Sequence, residues 1–257
     1  MENVENNSVV IEITNLKKRY RGQEKYALKG INLEITQGEF FGLLGPNGSG
    51  KTTLISILCG LRKSTAGEIR ILKRNIKHYY SRRVKTAIGL VPQEIALYPT
   101  LTLQQNLRLF ASLYGLTGSL MRERVNYCLE IAQLQAFRHK QIQTYSGGMK
   151  RRANLVVGLI HQPKILFLDE PTANVDPQSR NMIYESLKKL IKLGITIIYT
   201  THYMEEAENL CSRLAIIDRG NVIKIGSVPD LIHSVPECND LGEVFLHFTG
   251  RDLRDEE

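Results

Sequence analysis

The 257-residue chain is 42% hydrophobic and 23% charged, enough apolar content for a substantial core, and no apolar run approaches the length of a membrane span. Lysine and arginine (34) exceed aspartate and glutamate (26) for a net charge of +8, but the basic clusters Lys17-Lys18-Arg19, Arg82-Arg83 and Lys150-Arg151-Arg152 lack the interleaved aromatics of a single-strand nucleic-acid binder and read as solvated faces. Met1 to Ser8 is polar and acidic, unlike a signal peptide, so a cytosolic protein is expected; Cys59, Cys128, Cys211 and Cys238 form no Cys-x-x-Cys pair and read as reduced packing residues without a metal site.

Taken in order, Val9 to Ile13 and Ile31 to Ile35 alternate apolar and polar residues, which predicts half-buried strands on either side of a turn at Arg21-Gly22-Gln23-Glu24. Tyr20, at the end of the first strand segment, is either an adenine-stacking ring or a surface tyrosine on a strand edge. Phe40 to Leu44 is a short apolar run suited to a buried strand, and Leu54, Ile55, Leu58 and Leu61 fall at helical spacing. Between them lies Gly45-Pro46-Asn47-Gly48-Ser49-Gly50-Lys51-Thr52-Thr53, a complete G-x-x-x-x-G-K-[ST] phosphate-binding loop in its strand–loop–helix setting. Glycine at 45, 48 and 50 lets backbone N–H groups approach phosphate oxygens, and the positive end of the following helix dipole faces the same anion. Lys51 is placed to reach the β- and γ-phosphates, and the Thr52 hydroxyl to bind magnesium.

Ile69 to Leu72 predicts a further short strand after a turn containing Gly67, and Ile88 to Val91 a buried strand that delivers Gln93 to its carboxyl end, where ligands of open parallel sheets collect. From Tyr98 to about Ile160 the periodicity turns helical, with Leu103, Leu107, Phe110, Leu113 and Tyr114 on one helix and Val125, Leu129, Ala132 and Leu134 on the next. Ser146 is a natural N-cap whose following glycines, Gly147 and Gly148, leave the start of a helix bare; this is an ordinary capped helix or a second anion site. Ile165 to Leu168 reads as a central parallel strand ending in Asp169-Glu170, adjacent carboxylates suited to orienting magnesium (Asp169) and polarising an attacking water (Glu170). Pro171 to Pro177 is turn-rich; Ile183, Leu187, Leu190 and Ile191 make a helix, and Ile195 to Tyr199 a strand that brings His202 to the sheet edge expected for Asp169, Glu170 and Gln93. Leu214 to Asp218 and Val222 to Ile225 flank Arg219-Gly220-Asn221 as a hairpin, and a short helical tail runs to Arg251–Glu257.

The ordered set resembles the nucleotide-binding subunit of an ATP-binding cassette (ABC) transporter from about Val9 to Arg254. By that resemblance Gly45 to Thr52 is the Walker A loop and Asp169 the Walker B aspartate. Glu170 is the catalytic glutamate, Gln93 the Q-loop glutamine, His202 the switch histidine and Tyr20 the adenine-stacking aromatic. Ser146-Gly147-Gly148 is the signature motif, which completes the ATP site of the opposite subunit, and Asn174-Val175-Asp176 the loop joining the two sites. The signature reads Tyr-Ser-Gly-Gly-Met where Leu-Ser-Gly-Gly-Gln is commonest, and Asn174-Val175 stands where Gly-Leu or Ala-Leu is usual; with Gly242 to Leu246 and Thr249-Gly250-Arg251 this is similar to the drug-resistance and polysaccharide- or lipid-export branch.

The resemblance implies an α/β P-loop NTPase (RecA-like) fold: a mostly parallel sheet, an antiparallel β subdomain and an all-helical insertion. Expected bounds are 1–92 and 161–230 for the ATP-binding core, 93–160 for the helical subdomain and 231–257 for the tail. It further implies ATP and Mg2+ bound through Thr52, Gln93 and Asp169, a homodimer closing on two ATP molecules, and a multi-span membrane permease as partner, with no direct nucleic-acid contact. The location would be cytoplasmic, peripheral on the inner face of the cell membrane. A soluble cassette acting on ribosomes or nucleic acid is the alternative. A small-molecule kinase or GTPase would leave Ser146-Gly147-Gly148 unexplained.

Overall fold

The computed structural model describes residues 8–76 and 81–250; the readings made for the first seven residues and for Arg251 onward lie outside them. In chain order the elements begin with β1 (Val9–Arg19), β2 (Tyr26–Thr36), β3 (Phe40–Leu44), α1 (Lys51–Leu58), β4 (Ala66–Ile71), β5 (Arg74–Asn75), α2 (Arg82–Lys85) and β6 (Ile88–Val91). Then follow α3 (Leu103–Leu113), α4 (Gly118–Ala132), α5 (Gly147–Val157), β7 (Ile165–Asp169), α6 (Pro177–Lys192), β8 (Thr196–Thr201), α7 (Met204–Leu210), β9 (Arg213–Asp218), β10 (Asn221–Ser227), α8 (Val228–His233) and α9 (Leu241–Thr249). They form two compact units, one from the described residues up to Val84 and from Thr196 onward, the other from Lys85–Ile195.

In the first unit β1 pairs antiparallel with both β2 and β4. Ile11 and Ile13 point inward by simple alternation, and the register slips before Leu16 is buried. The slip falls at Asn15, whose φ is 49° and whose N–H donates to Asn32 Oδ1 at 2.8 Å. Gly67 lies inside β4, not in a turn before it: it stands at φ 93°, and a Cβ there would come within 2.4 Å of the Asn15 carbonyl oxygen. The same unit holds strands in the order β10-β9-β3-β8, with β3 parallel to both β9 and β8 and β10 antiparallel to β9. Every residue of β3 and β8 is buried, as continuous apolar runs require when both faces are covered. The β9–β10 turn is Arg219-Gly220 at φ 47° and 79°, the left-handed pair that matches strand twist in a two-residue hairpin. Helices α8 and α9 bury Val228, Leu231, Leu241, Val244 and Phe245.

In the second unit β6 runs parallel to β7, with Val91 opposite Leu168. The helical spacing predicted for α3 is there, but its buried stripe is Leu103, Asn106, Leu107 and Ala111, while Leu113 is 72% exposed. Asn106 joins that stripe because its amide answers the loop backbone before α3. Its Oδ1 accepts from Tyr98 N at 2.8 Å, and its Nδ2 donates to Tyr98 O at 3.1 Å and Thr102 O at 3.0 Å. Two buried arginines act likewise: Arg124 of α4 donates to Leu159 O and Ile160 O in the turn after α5, and Arg152 of α5 to Ala132 O at the end of α4. The Lys150-Arg151-Arg152 run is therefore not a solvated face. His161 is held similarly, its Nε2 donating to Ile88 O at 2.8 Å and its ring stacked on Tyr114 with centroids 3.7 Å apart.

Burial, reinforced by the Arg124 charge, lowers the His161 pKa from its ordinary 6.5, against the opposing pull of the Ile88 hydrogen bond. Because the folded state holds the proton less well than the unfolded chain, the stability His161 contributes is fully present above pH 6.5 and is lost as pH falls through the depressed value. The denaturant midpoint of the wild type should fall on acidification below pH 6.5, and His161→Phe, which keeps the stacked ring but cannot titrate, should show a shallower fall. Identical slopes in urea titrations at a series of pH values would remove His161 as the cause.

Candidate functional site

In the first unit the phosphate-binding loop leaves β3 and enters α1 with Gly50 as its N-cap at φ 114° and no side chain capping the helix. The first N–H groups of α1 are thus offered outward, the arrangement that favours an anion. No atom outside the immediate neighbours lies within 4 Å of where a Cβ on Gly48 would sit, so the backbone is open there for close approach. Gly45 and Gly50 are glycines for the opposite reason: a Cβ on Gly45 would stand 2.1 Å from Ile217 O, and one on Gly50 2.8 Å from Leu28 Cδ2. Lys51 is 4% exposed, with Nζ donating to Gly45 O at 2.7 Å and Pro46 O at 3.0 Å. Its charge sits inside the curve of the loop. Thr52 is exposed on the first turn of the helix, and the buried Ser49 Oγ has no hydrogen-bond partner, a polar atom still to be answered.

Tyr20 joins this half-site, its hydroxyl lying 3.1 Å from Thr53 Oγ1 and its ring within 5.1 Å of Lys18 Nζ and 5.3 Å of the Arg62 guanidinium. The pairing of Leu44 with Thr201 sets His202 beside the start of the loop, where Gly45 N donates to Thr201 O at 3.4 Å. The next helix is anchored by the buried Glu206, which accepts from Tyr199 Oη at 2.9 Å and Thr201 Oγ1 at 2.7 Å.

In the second unit the parallel pairing of β6 with β7 brings their carboxyl ends together, so Gln93 meets Asp169-Glu170. Gln93 Nε2 donates to Glu170 Oε2 at 3.4 Å. Both carboxylates are nearly buried, Asp169 at 5% and Glu170 at 8% exposure. Glu170 stands at φ 44°, a left-handed backbone that costs about 1–3 kcal/mol in a non-glycine residue and that collects at functional sites. Ser146 caps α5 as expected, its Oγ accepting from Met149 N at 3.3 Å. Asp176, placed in the joining loop from sequence, is also the N-cap of α6; the Ser179 N–H and hydroxyl that it accepts from hold its carboxyl below the usual range.

The signature glycines differ from the expectation of a bare helix start. Gly147 is exposed with open space around it, whereas Gly148 is buried against α6: a Cβ there would sit 2.0 Å from Ser179 Oγ and 2.4 Å from Ser179 Cβ. Ala at 147 would meet nothing within its unit, and Ala at 148 would force α5 and α6 apart. The sequence reading also passed over Arg151 and Asn154, which hold the Gln93 loop; their spacing along α5, opposite its apolar face, was the available signal.

Residues 28–173 match the family described as ABC transporter. The chain is 46% identical over 233 residues to the linearmycin resistance ATP-binding protein LnrL of Bacillus subtilis (strain 168), covering 91% of this chain and 72% of that protein. It is 41% identical to the Nod factor export ATP-binding protein I of Paraburkholderia xenovorans (strain LB400), covering 91% and 76% respectively. Among solved structures it is similar to an ATP-binding cassette in a dimeric post-hydrolysis state bound to ADP and Pi, with TM-score 0.77, 31% identity and 84% and 98% of the two chains covered. An ATP-binding subunit of an ABC transporter aligns at TM-score 0.83 and 26% identity over 93% and 99%.

Gly148→Ala should lower stability by about 1–3 kcal/mol through overpacking, Gly147→Ala by far less, and Ser179→Gly should restore part of the Gly148→Ala loss. Equal denaturant midpoints for the two alanine variants would contradict the packing role of Gly148.

Proposed function

We propose, on the premise that this chain belongs to the ABC transporter family, that it is the ATP-hydrolysing motor subunit of a membrane exporter. The observation that carries the reading is the phosphate-binding loop, an uncapped helix start with Lys51 held in its curve. ATP would place its phosphates on the N–H groups of Gly48 to Thr52, its γ-phosphate at Lys51, and its adenine on Tyr20. Thr52, Gln93 and Asp169 each offer the hard oxygen that Mg2+ selects, and Mg2+ held by them would supply charge neutralisation for the phosphates.

Glu170 acts as the base that orients and deprotonates the attacking water, with its carboxylate kept in place by Gln93, and His202 reads the γ-phosphate. Phosphoryl transfer to water needs positioning and charge neutralisation rather than a covalent intermediate, which suits a site without a nucleophilic side chain in these roles. Ser146 and Gly147, the exposed part of the signature, serve the ATP of a second copy, so two chains meet head to tail across two nucleotides. ATP contacts that exist only in the closed dimer shift the population toward closure, and hydrolysis releases it.

Among the described residues no helix is long and apolar enough to cross a membrane. As in a subunit of an export system, the transport path would belong to a partner, a multi-span permease against whose inner face this subunit would sit. The exposed Tyr98 and Leu113, at 54% and 72%, bracket the segment proposed to meet it. Export rather than import follows from the drug-resistance and export proteins among the relatives.

Glu170→Gln should keep ATP binding, lower hydrolysis by at least about 100-fold and accumulate as a nucleotide-bound dimer on gel filtration. Full turnover by that variant would remove Glu170 as the base. Lys51→Ala should lose nucleotide affinity in equilibrium titration; unchanged affinity would count against the loop assignment. Recovery of ribosomes in place of a stoichiometric membrane protein from detergent-solubilised native cells would replace the exporter reading with a soluble one.

A further inference from the structure

Helix α5 carries more than the signature at its start. One turn in, Arg151 donates through Nη1 to Gln93 O and through Nη2 to Ala173 O at 3.1 Å. Asn154, three residues on and so on the same helix face, donates to Pro92 O at 3.1 Å and Glu94 O at 3.4 Å and accepts from Ala96 N at 3.0 Å. The backbone after β6 is thus held by α5 from Pro92 to Ala96, and one guanidinium ties that loop to the turn after β7. Glu170 and Gln93 sit on these two tethered segments, and their side chains meet at a long 3.4 Å. A guanidinium is a rigid planar fork, so its two hydrogen bonds fix the spacing of the carbonyls they reach. Burial lowers the pKa of Arg151 while the nearby Glu170 charge raises it, which places the two charges within electrostatic reach of one another.

We propose that Arg151 is a positioning residue for hydrolysis: from the signature helix it sets the spacing between the Gln93 loop and the Glu170 turn, with Asn154 steadying the loop. A shift of the loop in either direction then moves the Glu170 carboxylate relative to the water it activates. Displacements of this kind carry large rate penalties, on the order of 100-fold for 1 Å, without changing how phosphate groups bind. The proposal rests on the reading of Glu170 as the base, and the test separates the two.

The test compares Arg151→Met and Arg151→Lys, each in the wild-type and Glu170→Gln backgrounds, by steady-state and single-turnover ATP hydrolysis, equilibrium nucleotide binding and thermal unfolding. Arg151→Met should lower kcat about 10- to 100-fold with KM and nucleotide affinity within about twofold. Arg151→Lys, which keeps the charge but cannot span both carbonyls, should recover only part of the loss. In the Glu170→Gln background Arg151→Met should lower the remaining single-turnover rate no further, because the group it positions is already gone. Wild-type kcat in Arg151→Lys overturns the proposal even if Arg151→Met fails to fold. So does an equal fold-loss in both backgrounds, which would make Arg151 an ordinary strut. Full turnover by Glu170→Gln alone strikes down the assignment of the base instead.

Discussion

A phosphate-binding loop must be rigid while leaving its amide hydrogens unspent, and those demands conflict, because backbone hydrogen bonds are the ordinary means of stiffening a loop. Here stiffness comes from the carbonyl side. Lys51 Nζ gathers Gly45 O and Pro46 O and Gly220 N donates to Ser49 O at 2.9 Å, although Ser49 spends its own N–H on Pro46 O at 3.2 Å. Carbonyls turned inward to these donors point the intervening N–H groups the other way. On the proposed function, the lysine that would meet the phosphates is already part of the loop's scaffold, so an arriving phosphate would compete with these carbonyls for its charge. That is a form of pre-organisation in which the ligand exchanges partners rather than ordering a free side chain.

The second unit meets a different constraint, two carboxylates side by side at the end of a fully buried strand. Glu170 is in a left-handed conformation, the Gln93 amide reaches its oxygen only at 3.4 Å, and Arg151 bonds to carbonyls rather than to the carboxylate itself.

How much of this was legible depended on whether the signal was periodic or long-range. Strands β3, β7 and β8 announced themselves as short apolar runs, and the loop between β3 and α1 as a motif in its proper setting, because those features are written in adjacent residues. The N-cap Ser146 is local as well. What stayed hidden were polar groups whose partners lie far along the chain. Asn106 occupies a slot that periodicity assigns to an apolar residue, since nothing near it in sequence shows that Tyr98 needs both its backbone groups answered. Gly148 looked like a residue chosen for its bareness, and only α6 shows that Ser179 fills the space. Arg151 reads as surface charge, and Asn154 goes unread, until the loop after β6 and the turn after β7 supply their acceptors.

The Arg219-Gly220 turn has a place in this that its sequence conceals. Gly220 O accepts from Lys29 N at 2.8 Å, its N–H reaches Ser49, and a Cβ on it would stand 2.5 Å from Ala27 O. Hairpin tips are usually where a lineage is free to vary in length and where epitopes and fluorescent modules are most easily grafted. In this protein that freedom is forfeited, because the tip is wedged between a strand and the nucleotide loop. An insertion at that tip would push on the nucleotide loop itself, so a tag seeking a harmless home should be sent elsewhere.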